Sequence, residues 1–294
     1  MRRMSGFRVR IFNEPNSCSP VTQLSYVCFT VTQNELMRLN MQQATASQQQ
    51  THTSESPLVA RITTDPAEIR QALQLRYRVF AEGMGAQLPS ASEGIDKDAF
   101  DDICLHLVVK DVHKDQVVGY SRILTNELAE QAGGFYSATE FDLSNILQSG
   151  KQYMEIGRTC VDPDYRSGAV IGLLWGGIAQ FMSANDMDYL MGCASISLAD
   201  GYSRAIAIID YLREKHFTSD TMRAEPKVHM PRTEVELDGK SLVPPLLKAY
   251  LRIGVKVCGE PFLDKDFNVC DALILLGKDD INQRYLRHFA KNEG

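Results

Sequence analysis

The chain has 294 residues, 44% of them hydrophobic, with a formal net charge of −6 and a pI near 5.6. That composition supports a sizeable core and excludes general nucleic-acid binding, which needs a basic footprint. Seven scattered cysteines without a Cys-x-x-Cys pair point to a reduced compartment rather than a disulfide framework. No uncharged apolar run approaches the ~20 residues that span a bilayer, and no apolar signal region follows Arg2 and Arg3. A cytoplasmic location is expected.

Residues 1–57 read as a mostly disordered extension. Met41 to Ser56 is a polar, glutamine-rich tract that cannot bury a core. Gln23 to Thr32 is apolar enough for a short strand but stands alone, and Met37 and Met41 are alternative start positions. Residues 58–294 form the expected folded domain. It opens with an alternating strand, Leu58 to Thr64. Asp65 and Pro66 then supply an N-cap and a first-turn proline. A helix follows from Ala67 to Met84, with Ile69, Leu73, Leu75, Val79 and Phe80 on its apolar side. An acid-rich loop, Gly85 to Asp102, leads to strands His106 to Val112 and Gln116 to Thr125. Further on come a strand Gln152 to Asp162, a helix Ile171 to Asn185, a strand Tyr189 to Ser197 and a helix Ser203 to His216. The chain closes with a helix Pro245 to Ile253, a strand Val269 to Leu276 and a helix Ile281 to Lys291. This order describes an α/β fold, a mixed sheet with helices on its faces.

Two charges stand out inside the apolar strand Gln152 to Asp162. Burying Glu155 and Arg158 costs several kcal/mol unless they pair or meet a ligand. Residues three apart on a regular strand point to opposite faces. The two can therefore share a site only across a bulge, for which Gly157 is the natural position. An internal salt bridge across the sheet edge is the plainer alternative. The following loop, Arg166-Ser167-Gly168-Ala169, opens a helix and so offers N–H groups to an anion. Taken by itself, it also fits a plain connecting turn.

Other candidates lie upstream. Arg76 and Phe80 share one helix face. Asp98 and Asp101 can converge in a helical turn, either as a solvated loop, as a cation site or as a seat for an amine-bearing substrate. Their spacing does not match an EF-hand. Arg122 adds a charge near a strand end. Cys160 and Cys193 lack a sequence-evident histidine partner and read as buried structure, His106 reads as a satisfied core residue, and no metal site is expected.

The donor loop resembles the pyrophosphate loop of the GCN5-related N-acyltransferase (GNAT) superfamily, with Gly168 one position early. The series Leu75-Arg-x-x-x-Phe80, Asp96-x-Asp98-x-x-Asp101, Gly119-x-x-Arg122 and Glu155-x-x-Arg158 is similar to the motif order of acyl-homoserine-lactone synthases. The wording of Arg76-Tyr-Arg-Val-Phe80, Tyr165-Arg-Ser-Gly-Ala-Val-Ile171 and Pro245-Leu-Leu-Lys-Ala-Tyr-Leu-Arg-Ile-Gly254 is closer to the ornithine N-acyltransferases, the hemolysin-like lyso-ornithine lipid synthases. The resemblance covers about Ala60 to Leu276.

It implies a GNAT-like, mostly antiparallel central sheet with helices on both faces. The implied activity moves a (3-hydroxy)acyl group from acyl carrier protein to the α-amino group of ornithine. No bound cofactor is implied, since the carrier's phosphopantetheine thioester is the donor. Glu155 would be the base and Arg158 its orienting partner or a clamp on the substrate carboxylate. Arg76, Phe80, Asp98, Asp101 and Arg122 would hold the acceptor. Arg166, Ser167, Gly168 and Ala169 would hold the phosphate, and Tyr202 or Tyr211 would protonate the leaving thiolate. Lys151, Arg166, Lys248, Arg252 and Lys256 are candidates for docking the acidic carrier. The amphiphilic product implies transient peripheral contact with an inner membrane. The alternatives are an acyl-homoserine-lactone synthase or another amino-acid N-acyltransferase and, in a different class, a non-catalytic lipid-binding or hemolysin-type protein.

Overall fold

A computed structural model describes residues 57–148 and 150–281. The expected N-terminal extension, its short strand and the C-terminal helix after Ile281 lie outside the described residues. The elements run β1 (Leu58–Thr63), α1 (Pro66–Tyr77), β2 (Leu105–Asp111), β3 (Gln116–Thr125), α2 (Asn126–Ala132), α3 (Ser137–Glu140), β4 (Phe141–Asp142) and β5 (Tyr153–Val161). They continue with α4 (Ala169–Ala184), β6 (Tyr189–Ser197), α5 (Tyr202–Lys215), β7 (Glu225–Pro226), α6 (Gly239–Leu242), α7 (Pro245–Ile253), β8 (Lys256–Val257), β9 (Phe262–Asp264) and β10 (Val269–Gly277).

The central sheet has the order β1-β2-β3-β5-β6-β10-β8, with β9 also paired to β10. Every pair in it is antiparallel except β5 and β6. Away from the register shifts in the β2–β3 and β3–β5 pairings, the long strands alternate, so their side chains feed two different layers. Leu107 and Val109 of β2 join the core under α4, whereas Val108 packs beneath α1 with Leu75, Val79 and Tyr120. Likewise Leu190, Ala194 and Ile196 of β6 meet α5, while Met191 and Cys193 face the segment that carries α3 and β4. Helices thus cover both faces. No helix among the described residues is long and apolar enough to cross a membrane.

The expected elements from β2 to β10 are present, and their ends mostly move by one or two residues. The first helix differs in form. It runs to Met84 as expected but widens into a π-turn over Arg78–Glu82. The two-residue strands β4, β7 and β8 and the three-residue β9 carry too few positions to show a period.

What matters for function is where the one parallel pair stops. β5 and β6 are in register only over Tyr153↔Tyr189, Met154↔Leu190 and Glu155↔Met191. Beyond that they part, although β5 stays paired to β3 as far as Val161. At the parting point a Cβ on Gly192 would lie 2.4 Å from the Ile156 carbonyl oxygen, so only glycine allows this close approach. Gly192→Ala should therefore cost about 1–3 kcal/mol through strand displacement, read as a lowered chemical-denaturation midpoint. Wild-type stability in that variant would show that the strands do not approach as described.

Candidate active site

β5 carries the irregularity that its charges demand. Tyr120 pairs with Cys160 and Arg122 with Gly157, so two steps along β3 oppose three along β5. The extra residue makes a bulge at Arg158, whose φ of 52° lies in the left-handed region. Gly157 is its neighbour, not the residue that takes the unusual conformation. A non-glycine residue held there costs about 1–3 kcal/mol and needs surrounding contacts to keep it.

Those contacts come from a buried cluster of three arginines and three aspartates. Arg76, fully buried, donates Nε–H to Asp96 at 2.9 Å and Nη1–H to Asp101 at 2.6 Å. Arg122 donates to Asp98 at 2.6 Å and approaches Asp101 at 3.4 Å. Arg158 reaches Asp96 at 3.2 Å and Asp98 at 3.4 Å. The aspartates are presented by a short 3₁₀ turn, Ala99–Asp102, that they cap themselves. Asp98 accepts the Phe100 N–H at 2.9 Å, and Asp101 accepts the Asp98 N–H at 2.8 Å. Aromatic faces seal the arginines. Arg122 lies 5.2 Å from the Phe100 ring, and Arg158 lies 5.3 Å from that of Tyr136 and 5.1 Å from that of Phe267.

Charges in this cluster are locked. Burial pushes the Asp101 carboxyl up, but Arg76 and Arg122 outweigh it and hold it below its ordinary value. Burial works against the Arg76 charge, yet Asp101 and Asp96 raise its pKa further. Phe80 sits on the π-turn, half-buried against the α1 layer. Of the five residues expected to hold the acceptor, Arg76, Asp101 and Arg122 are thus closed inside the cluster. Asp98 and Phe80 keep some exposure.

Glu155 takes a different place from the one its sequence position suggests. It makes no ion pair with Arg158. Its carboxylate accepts the Tyr136 N–H at 2.6 Å, the Ser137 N–H at 2.7 Å and the Ser137 hydroxyl. Burial raises its pKa, and the Ser137 and Tyr136 hydrogen bonds work against that rise. Glu155 and Arg158 therefore meet through Tyr136, one holding its backbone and the other its ring. Tyr136, Ser137 and Asp96 carry the geometry but were not singled out as site residues in the sequence. Asp96 at least stood in the acid run, whereas Tyr136 and Ser137 act largely through backbone N–H groups that every sequence supplies.

The Arg166–Ala169 loop follows β5 and leads into α4. Arg166, Ser167, Gly168 and Ala169 are all exposed, and Arg166 donates Nε–H to the Val161 carbonyl at 3.3 Å. Gly168, at φ 105°, precedes the sixteen-residue helix α4 and supplies no side-chain cap. Tyr165 anchors the loop by donating its hydroxyl to Asp111 at 2.7 Å. Elsewhere, burial pushes the Cys160 thiol up to about 12 and raises that of Cys193, which disfavours a thiolate nucleophile at either. His106 is buried between the Tyr120 hydroxyl at 2.9 Å and the Asp101 carbonyl at 3.0 Å, and burial lowers its pKa. The Tyr211 hydroxyl lies 3.3 Å from the His216 ring, while Tyr202 is exposed at the start of α5.

The acetyltransferase (GNAT) domain family matches residues 75–176, which span the acid loop, β5 and the start of α4. The L-ornithine N(alpha)-acyltransferase of Agrobacterium fabrum is 34% identical over 252 residues, covering 79% of this chain and 85% of that protein. The chain belongs to the L-ornithine N(alpha)-acyltransferase family. The enzyme of the same name from Rhizobium meliloti is 35% identical over 254 residues, covering 81% of this chain and 86% of that protein. Among solved structures, the acyl-homoserine-lactone synthase LasI aligns with a TM-score of 0.49 at 12% identity, over 80% of this chain and 96% of that one. As a family member, the chain is an acyltransferase acting on an acyl-thioester donor.

The cluster makes this acyltransferase sensitive to acid. A depressed carboxylate contributes stability that is complete above its unfolded pKa, near 4, and is lost as pH falls through the folded value. Asp101→Asn should cost about 3–5 kcal/mol at neutral pH, because it leaves Arg76 and Arg122 short of a counter-charge. The variant should also lose part of the wild-type decline in stability below pH 4. Denaturation curves across pH check both outcomes.

Proposed function

We propose that this family member transfers a (3-hydroxy)acyl group from acyl carrier protein to the α-amino group of L-ornithine, giving lyso-ornithine lipid. The observation that carries this reading is the parting of β5 from β6 beside the Arg158 bulge, next to the uncapped start of α4. An extended pantetheine arm fits between parted strands, where backbone groups released from the ladder can bond it. Its single phosphate meets the N-terminus of α4 at Gly168 and Ala169, where the free N–H groups and helix dipole favour an anion. Arg166 and Ser167 border the same point. Family membership supports ornithine as acceptor, because the relatives carry that name.

The chemistry follows from these positions. The acceptor nitrogen attacks the thioester carbonyl, a C–N bond forms and the C–S bond breaks. The nitrogen sheds one proton and the leaving thiolate takes one up, so the products are an amide and a free thiol. N–H groups at the bulge stabilise the developing oxyanion. An α-amino group with a pKa of about 8 is roughly one-tenth neutral at pH 7, so a reactive fraction exists without a strong base. Glu155, enclosed by three donors, serves first as a positioning residue that fixes Tyr136 and Ser137. Arg158 keeps a 15% exposed side chain and is the group best placed to grip the acceptor carboxylate.

Expression in cells lacking ornithine lipids, followed by lipid mass spectrometry, should yield acyl-ornithine. Acyl-homoserine lactone, or no new product, would overturn the reading. Glu155→Gln sets an amide NH₂ against the N–H of either Tyr136 or Ser137, and should lower stability by about 1–3 kcal/mol. Turnover should drop with it, while the midpoint of the pH–rate profile stays in place. Loss of turnover with wild-type stability and a shifted profile would make Glu155 the base instead. If an acidic carrier docks near Arg166, the apparent KM for acyl carrier protein should rise with salt; a KM that does not change with salt would place docking elsewhere.

A further inference from the structure

A second group of carboxylates meets across three segments, apart from the arginine–aspartate cluster. Glu140 ends α3, Asp264 ends β9 and Asp271 lies in β10, and one oxygen from each is within 4.8 Å of the others. Glu140 and Asp271 are each 4% exposed, and Asp264 is half-buried. None of the three is ion-paired among the described residues. Asp271 accepts the Ser195 hydroxyl at 2.6 Å, and Asp264 accepts the N–H groups of Asp266 and Phe267 at 2.9 and 3.0 Å. Glu140 Oε2 is buried without any hydrogen-bond partner.

Carboxylates closed off from water without a counter-ion are costly, and the absence of pairing here contrasts with the first cluster. Burial, together with the neighbouring carboxylates, raises the pKa of both Glu140 and Asp271. The group borders the parted strands. Ser137, held by Glu155, lies 3.4 Å from the thiol of Cys193 on β6, and Arg158 is near enough to Asp271 to act on it electrostatically.

The spacing suits one ammonium. An –NH₃⁺ group has three donors, and acceptors placed ~2.8 Å around one nitrogen lie no more than ~4.8 Å apart. A calcium or magnesium ion would also sit within this spacing, with water completing its six or more oxygens, so metal dependence is one outcome the assay must distinguish. We propose that Glu140, Asp264 and Asp271 form the subsite for the side-chain ammonium of the acceptor, setting both its preference for a diamino acid and the choice of the α-nitrogen. A side-chain amine has a pKa near 10, and carboxylates around it hold its proton. It is thereby kept from attacking the thioester, while the less basic α-amine remains reactive.

This inference rests on ornithine as acceptor, and the test separates the two. Full-length enzyme is assayed with acyl carrier protein as donor and with either ornithine or norvaline, the same skeleton without the side-chain amine. Glu140→Gln and Asp264→Asn should each lower kcat/KM for ornithine on the order of tenfold or more, mainly through KM, with a much smaller change for norvaline. The half-exposed Asp264 keeps the test usable if the Glu140 variant fails to fold. Equal losses for both acceptors, or an unchanged ratio, would sink the subsite. So would activity abolished by EDTA and restored by magnesium or manganese, which would make the carboxylates metal ligands. Calorimetric binding of ornithine needs no turnover. Binding by wild type that weakens in both variants supports the subsite even if no acyl-ornithine forms, and only the proposed reaction then fails.

Discussion

Everything at the centre of this molecule is arranged around charges that cannot be left alone. Arg76 has no contact with solvent, and a buried guanidinium without partners would cost several kcal/mol. Its partners Asp96 and Asp101 come from a loop that is also pinned by buried Leu88 and Ile95. The same aspartates, with Asp98, then fix Arg122 on β3 and Arg158 on β5. Helix, loop and two strands are thereby tied through one electrically neutral knot. Removing any single member leaves an opposite charge buried, so the knot holds or fails as a unit.

The bulge is best understood as a product of that knot. A regular β5 would turn Arg158 to the face opposite Arg122. One extra residue reverses it, so that its guanidinium meets the same acid loop as Arg76 and Arg122. The detour also disturbs the edge facing β6, where the ladder stops at Glu155 and Met191. Gly192 lets the two strands run close just before they separate. The opening proposed for the thioester arm is therefore held by charge pairing on one side of β5 and close backbone approach on the other.

Much of this was legible in the sequence, for a physical reason. Charged residues in an apolar strand are conspicuous because burial is so unfavourable to them. Arg122, Glu155 and Arg158 could therefore be singled out on strands and Arg76 beside apolar helix positions, while Asp98 and Asp101 stood out only as an acid run matching a family motif; the need for a bulge followed from the period of a strand. Other features were hidden. Glycine is the default expectation for a positive φ, so Gly157 drew attention that belonged to Arg158. The anchor of Glu155 is made mainly by backbone N–H groups at Tyr136 and Ser137, which carry no residue-type signal. Asp264 and Asp271 meet across the β9–β10 pairing, and Glu140, far upstream in the chain, joins them only through the fold.

Arg158 also shows two contributions to stability pulling on one residue in opposite directions. Its backbone conformation suits glycine, which would relieve on the order of 1–2 kcal/mol of steric conflict. Its side chain is needed by two aspartates. Losing the guanidinium would leave those buried acids short of a counter-charge, a larger cost than the strain relieved, so charge pairing keeps a strained arginine in place. Efforts to harden this scaffold would do best to leave that position untouched and work on the far edge of the sheet.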